Sequence, residues 1–235
     1  MGVRERLLDR TPETLETFEL RTLLLDPATE IHGDATGATV KSASSQLVVV
    51  VGDPDPTMLP RALADTDRRW MVIADAPRPE IAPGWTWQRG TTLVHDDPAA
   101  LSKAAGASAE IRAMTRQEII RWLTPETSSY ALEAHDRGPV VGAWAASGAL
   151  VSMAYSLLSS ERFYHPTIVA FRAFRGRGFG RRVFRTGARL IELQARAGRS
   201  PVPTVLDSNR VVLEGCLRLG FRAVRHRWQA YPVAA

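Results

Sequence analysis

The residues of this sequence best suited to chemistry are Arg175-Gly176-Arg177-Gly178-Phe179-Gly180. Three glycines at alternate positions remove side chains where the backbone must turn sharply or approach a ligand closely. An apolar run, Thr167 to Phe171, enters the hexapeptide, and a long helical pattern leaves it. A strand, a glycine-rich turn and a helix N-terminus together make an anion site. The first N–H groups of the helix have no intrahelical acceptor, and the helix dipole favours negative charge beside them. The arginines add positive charge, so the implied chemistry is a backbone cradle for phosphate. The spacing is not that of a Walker loop, which ends Gly-Lys-Ser/Thr where this chain has Gly180-Arg181-Arg182. Nor is it the Rossmann Gly-x-Gly-x-x-Gly. A disordered Arg-Gly tract that binds RNA is the alternative, and the flanking strand and amphipathic helix argue against it.

That turn needs elements to hold it, and 235 residues can supply one large or two small domains. Hydrophobic residues make up 45% and charged residues 23%, the balance of a globular protein. No apolar run reaches the roughly 18 residues of a membrane-spanning helix. The first residues, Met1 to Arg6, lead to no signal-peptide pattern. Cys216 is the single cysteine, which excludes an internal disulfide. These features point to a cytoplasmic protein without membrane association.

The net charge of +5 is unevenly spread. From Arg172 to Arg227 fourteen arginines stand against Glu192, Asp207 and Glu214, so this segment carries +11 and the remainder −6. Arginine is also the base this chain prefers, since Lys41 and Lys103 are its only lysines. A field of this sign attracts a phosphorylated cofactor or a nucleic acid.

In chain order, Thr11 as cap, Pro12 in the first turn and a leucine-rich stripe predict a helix over 11–25, ended by Asp26-Pro27. Residues 28–45, rich in Gly, Thr, Ser and Ala, read as a loop. Strands follow at Gln46–Val51, Trp70–Ala74 and Trp85–Val94, with a helix at Pro56–Ala64. A seam near 98–109 is either a short helix or a linker. Beyond it, Glu110–Met114 is a short strand, and Thr115-Arg-Gln-Glu118 is a capping box opening a helix to Leu123. Ser147-Gly148 marks a hairpin between strands Val140–Ala146 and Ala149–Leu158. Phe163–Phe171 is a strand, and the helix after the glycine turn runs to Arg196. Pro203–Leu206 is a strand, Asn209–Leu219 a helix stopped by Gly220, and Phe221–Val233 closes with one or two strands.

The Arg-x-x-Gly-x-Gly spacing resembles the acetyl-coenzyme A pyrophosphate loop of the GNAT (GCN5-related N-acetyltransferase) family. A second signature of that family follows in order. Asn209 precedes Gly220-Phe221 in the run Asn-Arg-Val-Val-Leu-Glu-Gly-Cys-Leu-Arg-Leu-Gly-Phe. The resemblance covers residues 110–235 and implies an α/β (α+β) chain with the GNAT fold, a mixed, mostly antiparallel twisted sheet flanked by helices. It implies a GNAT acetyltransferase domain at 108–235. Residues 1–107 are then an N-terminal α/β domain of unassigned role, either a degenerate half of a tandem GNAT arrangement or an unrelated cap.

The cosubstrate so implied is acetyl-CoA. In a GNAT-like site the loop amides of Gly176, Arg177, Gly178, Phe179, Gly180, Arg181 and Arg182 hold the pyrophosphate. The backbone of Ile168, Val169, Ala170 and Phe171 pairs with the pantetheine arm, and one of its N–H groups faces the thioester oxygen. Val169 and Phe171 are also ordinary core residues; both roles hold together, because the coenzyme contact runs through the backbone. Arg175 either binds phosphate or braces the loop, and Asn209 belongs to the second coenzyme-binding motif. One cysteine and scattered histidines give no metal spacing, so no metal is expected.

The amine must be neutral to attack, and the leaving thiolate must be protonated. His165, with an ordinary pKa of about 6.5, is a candidate base or water relay; Tyr164 and Glu161 are alternatives. Counting from Asn209, Cys216 stands where the family commonly has tyrosine. A thiol can protonate a thiolate, and a small buried residue also suits a helix face. If Cys216 is only the latter, Tyr231, Tyr164 or water must serve. Trp122, Tyr130, Trp144, Tyr155 and Trp228 either line an acceptor pocket or belong to the core.

Three functions stay open: an N-acetyltransferase acting on a small-molecule or protein amine, one whose acceptor is carried on RNA such as aminoacyl-tRNA, and a non-catalytic coenzyme-binding regulatory module. A homodimer is implied by the resemblance alone.

Overall fold

Two sheets organise the chain in the computed structural model, which describes residues 1–44, 46–64, 71–77, 81–98, 100–101 and 110–232, the side chains of 125–127 apart. Each sheet belongs to its own compact unit: 1–93 with 204–235, and 94–203.

The first unit opens with helices α1 (Val3–Asp9) and α2 (Phe18–Leu25). The helix expected from residue 11 begins only at Phe18. Before it, hydroxyls compete for the backbone: Thr14 N–H donates to Thr17 Oγ1 at 3.1 Å, and Thr17 Oγ1 donates to the Pro12 carbonyl. Within 28–45, expected as a loop, residues 30–42 form a hairpin of β1 (Glu30–Gly33) and β2 (Gly37–Ser42), paired from Glu30↔Lys41 to Gly33↔Ala38. Its small residues hid the alternation of a strand. The turn is closed by Asp34, whose Oδ1 accepts from Thr36 N–H at 2.7 Å and Gly37 N–H at 3.1 Å.

Strand β3 (Leu47–Gly52), helix α3 (Met58–Leu63), strand β4 (Met71–Ala74) and strand β5 (Trp85–Val94) follow. β3 and β4 are parallel. The chain's C-terminal segment completes this sheet. β11 (Thr204–Leu206) pairs with β5, and the long β12 (Arg222–Pro232) lies between β4 and β5. Val48, Val50, Leu59, Leu63, Val72 and Ala230 are among the residues of its core. Arg227 of β12 and Glu19 of α2 form a buried ion pair there.

The second unit carries a five-stranded sheet in the order β10-β9-β8-β7-β6. β6 (Ile111–Ala113) leads to α4 (Arg116–Trp122), capped as its sequence predicts. Glu118 N–H donates to Thr115 Oγ1 at 3.2 Å, and Thr115 N–H donates to Glu118 Oε2 at 2.9 Å. α5 (Pro125–Arg137), β7 (Val141–Trp144), β8 (Leu150–Ser159), β9 (Phe163–Ala170), α6 (Gly180–Ala195) and the short β10 (Ser200–Pro201) complete it. α6 packs on β7, β8 and β9, and α5 packs on β8. β8 is therefore buried nearly throughout and lacks the alternation of a one-sided strand.

The 107/108 boundary of the expected domains lies outside the described residues. The compact units divide the chain differently, because residues 204–235 supply strands to the sheet of residues 1–93.

Candidate functional site

β9 delivers the chain to the glycine turn. A single 3-10 turn, Arg172–Phe174, separates the strand from the loop. Gly176 (φ 71) and Gly178 (φ 80) take left-handed backbone, and a Cβ at either would meet nothing within 4 Å. Glycine is needed here for conformation, and the space beside it is open. Arg177 N–H donates to Phe174 O at 3.4 Å, and Arg182 N–H donates to Phe179 O at 2.9 Å. The N–H groups of Gly176, Gly178, Phe179, Gly180 and Arg181 find no acceptor among the described residues. The five form a donor array at the start of α6, a site for oxyanions. The rings of Phe174 and Phe179 meet edge to face, with centroids 5.3 Å apart, and tie the two ends of the loop together.

Two of the seven expected loop donors, the amides of Arg177 and Arg182, are thus spent on the loop itself. The Arg182 side chain is also a brace: Nη1 donates to Trp144 O at 2.8 Å and Nη2 to Glu110 Oε2 at 2.7 Å. Arg175 braces as well, its Nε donating to Ala170 O at 3.0 Å. Arg172, Arg177, Arg181 and Arg185 have no carboxylate partner among the described residues, so positive charge surrounds the array.

The strand offers a second binding element. β10 pairs with β9 only at Ser200↔Phe163 and Pro201↔Tyr164. Val202 N–H donates to Tyr164 O at 2.9 Å, so the even-numbered residues of β9 turn their polar groups toward that edge. Phe171 N–H donates to Val151 O at 3.1 Å, so the odd-numbered residues serve the ladder with β8. Past Tyr164 the edge is open among the described residues. It presents the N–H of Ile168 and Ala170 and the carbonyls of Pro166 and Ile168.

Pro166 supplies no N–H. Opposite it β8 bulges, with Tyr155↔Thr167 and Leu158↔His165 as flanking pairs. Leu157 O, inside the bulge, accepts from Arg137 Nη1 at 2.9 Å. Val169 and Phe171 pack their side chains into the unit's core. Ile168 lies over Gly187 of α6, where a Cβ would come within 2.4 Å of Ile168 Cδ1. The strand is core by its side chains and open by its backbone.

Burial moves the expected acid–base groups. His165 is half-buried, and desolvation of its charged form lowers its pKa to about 4. Tyr164 is fully buried, its hydroxyl has no partner among the described residues, and burial raises its pKa. Both lie on β9, while Glu161 is exposed in the turn before that strand.

Cys216 and Asn209 belong to the other unit. Cys216 is half-buried on α7 (Arg210–Arg218), and burial raises its thiol pKa. Asn209 precedes α7 with its N–H donating to Leu206 O at 2.8 Å. Tyr231 Oη donates to Gln229 Oε1 at 2.8 Å, and burial raises its pKa to about 12. Of the aromatic candidates, Trp144 and Tyr155 are buried in the second unit's core, and Trp122 is 40% exposed.

One constellation in the first unit has no local signal in the sequence. Asp207 Oδ1 accepts from Thr91 Oγ1 at 2.6 Å, Asp207 Oδ2 accepts from Arg89 Nε at 2.5 Å, and Thr91 Oγ1 lies 3.1 Å from His226 Nδ1. The one hydroxyl proton of Thr91 goes to Asp207, so its oxygen accepts from His226 Nδ1–H. Nε2 of the exposed His226 is then the open acceptor. Burial pushes the Asp207 pKa up, and the Thr91 and Arg89 bonds overcome this to lower it. Thr91 and Asp207 stand 116 residues apart in sequence; only the register Thr91↔Val205 between β5 and β11 brings them together.

Among the described residues no group of three or more His, Cys, Asp or Glu is placed to hold a metal ion, and no helix is long and apolar enough to cross a membrane. No protein-family model matches the sequence, and no curated protein does. Solved structures do match. A GCN5-related N-acetyltransferase-like protein from Streptococcus suis superposes with a TM-score of 0.72 at 15% identity, over 98% of this chain and 99% of that one. A GCN5-related N-acetyltransferase from Kribbella flavida superposes at 0.52 and 13%, over 100% and 97%. A tandem GNAT protein from the clavulanic acid biosynthesis pathway gives 0.54 and 15%, over 99% and 96%. Along nearly its whole length, the N-terminal hundred residues included, the chain has the fold of the GCN5-related N-acetyltransferases.

Proposed function

We propose that the protein is an acetyl-CoA-dependent N-acetyltransferase acting on a primary amine of a small molecule or protein. The observation that carries this is the pairing, within one unit, of five unsatisfied loop amides with the open edge of β9. A diphosphate takes the amides of Gly176, Gly178, Phe179, Gly180 and Arg181. The pantetheine amides take the edge at Ala170 and Ile168, and the N–H of Ile168 faces the thioester oxygen. One fixed donor aimed at a developing oxyanion contributes about 10²–10³ in rate.

His165 is the proposed base. Neutral at pH 7, it can accept a proton, but a pKa of about 4 makes it a weak acceptor. Tyr164, on the same strand, is the proposed acid, and burial keeps it protonated at neutral pH. The same shifts favour a second reading, a coenzyme-binding module without turnover. Release of free coenzyme thiol from acetyl-CoA, followed across a panel of amines, separates the two: turnover with any amine supports the enzyme, and binding without turnover across the panel supports the module.

A further inference from the structure

We infer that the acceptor is an arylamine, an amine carried directly on an aromatic ring, received on the face of β9 that bears His165, Thr167 and Val169. This rests on the acetyl-CoA reading above and deepens it by naming the class of amine. With the thioester oxygen at the Ile168 N–H, the two faces of β9 offer an incoming nucleophile different surroundings. α6 packs against the face of Ile168, and a Cβ on Gly187 would come within 2.4 Å of Ile168 Cδ1. The opposite face carries His165, Thr167 and Val169, each half-buried. Tyr155, across the ladder from Thr167, is buried on that side, and Leu132 of α5 and Leu157 of β8 pack partly exposed against the same core.

The surroundings are apolar apart from one imidazole, and they hold no anion for a cationic amine. β7, β8 and β9 contain no Asp or Glu. On the helices of this side, Glu118 is bound to Arg112 at 2.5 Å, Glu133 to Arg137 at 2.7 Å and Asp136 to Arg116 at 2.7 Å. The buried Tyr155 stays neutral, its pKa raised by desolvation. An alkylammonium or a polyamine brought here loses water and meets no counter-charge. It must also shed a proton before it can attack. An amine as basic as lysine is neutral in only about one molecule in 2,500 at pH 7. His165, held at about 4 by burial, cannot draw that proton off. An arylamine needs no such step. Its lone pair is delocalised into the ring, so it arrives neutral, and the ring suits the apolar surface. The nitrogen becomes acidic only as it bonds to the thioester carbon, and a weakly basic imidazole then suffices to take its proton. The C–S bond breaks and one proton reaches the departing sulfur. The products are the N-aryl acetamide and free coenzyme thiol.

The full chain is given acetyl-CoA with aniline, 4-methoxyaniline, benzylamine, spermidine or a lysine peptide. Thiol release is followed from pH 6 to 9, alongside calorimetric binding of CoA. The expected result at pH 7 is a kcat/KM about a hundredfold or more higher for the two arylamines than for the other three. The arylamine values stay flat with pH, and the alkylamine values climb about tenfold per pH unit as the neutral amine forms. Thr167→Asp sets a carboxylate on this face and leaves the Ile168 N–H in place. In a chain that a thermal melt shows to be folded, it is expected to narrow the aryl-to-alkyl ratio about tenfold or more. If the variant does not fold, the wild-type ratio and pH profile decide. A much smaller wild-type ratio, a preference for benzylamine, spermidine or the peptide, or an unchanged ratio in folded Thr167→Asp overturns the inference and leaves the coenzyme reading in place. Coenzyme binding without turnover of any amine overturns it together with the enzyme reading. Failure to bind CoA sinks the coenzyme reading itself.

Discussion

Arg175 and Ala170 are joined by a 3.0 Å hydrogen bond from the guanidinium Nε to the backbone carbonyl, so the first arginine of the glycine turn holds the end of the strand it follows. The bond consumes the one carbonyl on the open edge nearest the loop and leaves the Ala170 N–H free. Arg175→Ala is expected to weaken coenzyme binding about three- to tenfold, the loss of one hydrogen bond to a charged donor at an exposed position. Arg175→Lys, which keeps the charge but not the Nε geometry, is expected to fall nearly as far. Calorimetric affinities for CoA check both; a full rescue by lysine would mean that charge, and not the brace, is what matters.

Ile168 turns its N–H to the open edge, so a proline there deletes that donor and no bond of the β8 ladder. Ile168→Pro is expected to lower turnover by about 10²–10³ with a much smaller loss of coenzyme affinity. Val169→Pro, which breaks the ladder, is expected to destabilise the unit instead. Steady-state kinetics with thermal melts distinguish the two, and normal turnover in folded Ile168→Pro would remove this amide from the chemistry.

His226 should sit in one tautomer. With Thr91 donating to Asp207, the proton belongs on Nδ1. Nitrogen-15 NMR of the imidazole is expected to show Nδ1–H in wild type and a mixture in Thr91→Val. A dominant Nε2–H form in wild type would contradict the hydrogen-bond directions.

Glu118 links acid stability to the α4 cap. Its hydrogen bonds to Arg112 first, and then to Thr115, hold its pKa down to about 2. A lowered folded pKa stabilises above the unfolded value, about 4.3, and that contribution is lost as pH falls toward 2. Glu118→Gln is therefore expected to destabilise most near neutral pH, and its deficit to shrink as pH falls and vanish only below about pH 2, where wild type also loses the charge. Thr115→Ala is expected to cost about 1 kcal/mol. Urea melts across pH check both; a Glu118→Gln deficit that is constant with pH would contradict the linkage.

The first unit repeats the strand–turn–helix–parallel strand order with opposite chemistry in the turn. Between β3 and α3 the chain reads Gly52-Asp53-Pro54-Asp55-Pro56-Thr57. Two prolines remove donors, and Asp53 and Asp55, with Asp34, line the hollow beside it. Carboxylates stand here where the second unit presents amides and arginines, so no second phosphate cradle is expected in this turn. One coenzyme per chain is the expected stoichiometry; two equivalent sites would contradict it.

The glycine turn was legible because its function is local: glycine spacing, a preceding strand and a following helix lie within one continuous segment. The Thr115 cap and the Ser147-Gly148 hairpin were legible for the same reason. α5 was not, because its polar sequence carries little amphipathic contrast, and the β1–β2 hairpin was not, because alanine, glycine and threonine mask the strand period. The open edge of β9 required register: only the pairing with β10 shows where it stops. The placement of β12 between β4 and β5, and the meeting of Thr91, Asp207 and His226, depend on pairings between residues more than a hundred positions apart, to which no local pattern points.

The most direct test is a calorimetric titration of the full chain with acetyl-CoA, CoA and ATP, alongside Gly178→Glu, which places a carboxylate in the open space beside the amide array. Micromolar binding of both coenzymes, none of ATP, and loss of coenzyme binding in the folded variant is the expected result. A folded wild-type chain that binds neither coenzyme, or a Gly178→Glu chain that binds them as wild type does, would contradict the assignment of this turn as the coenzyme cradle.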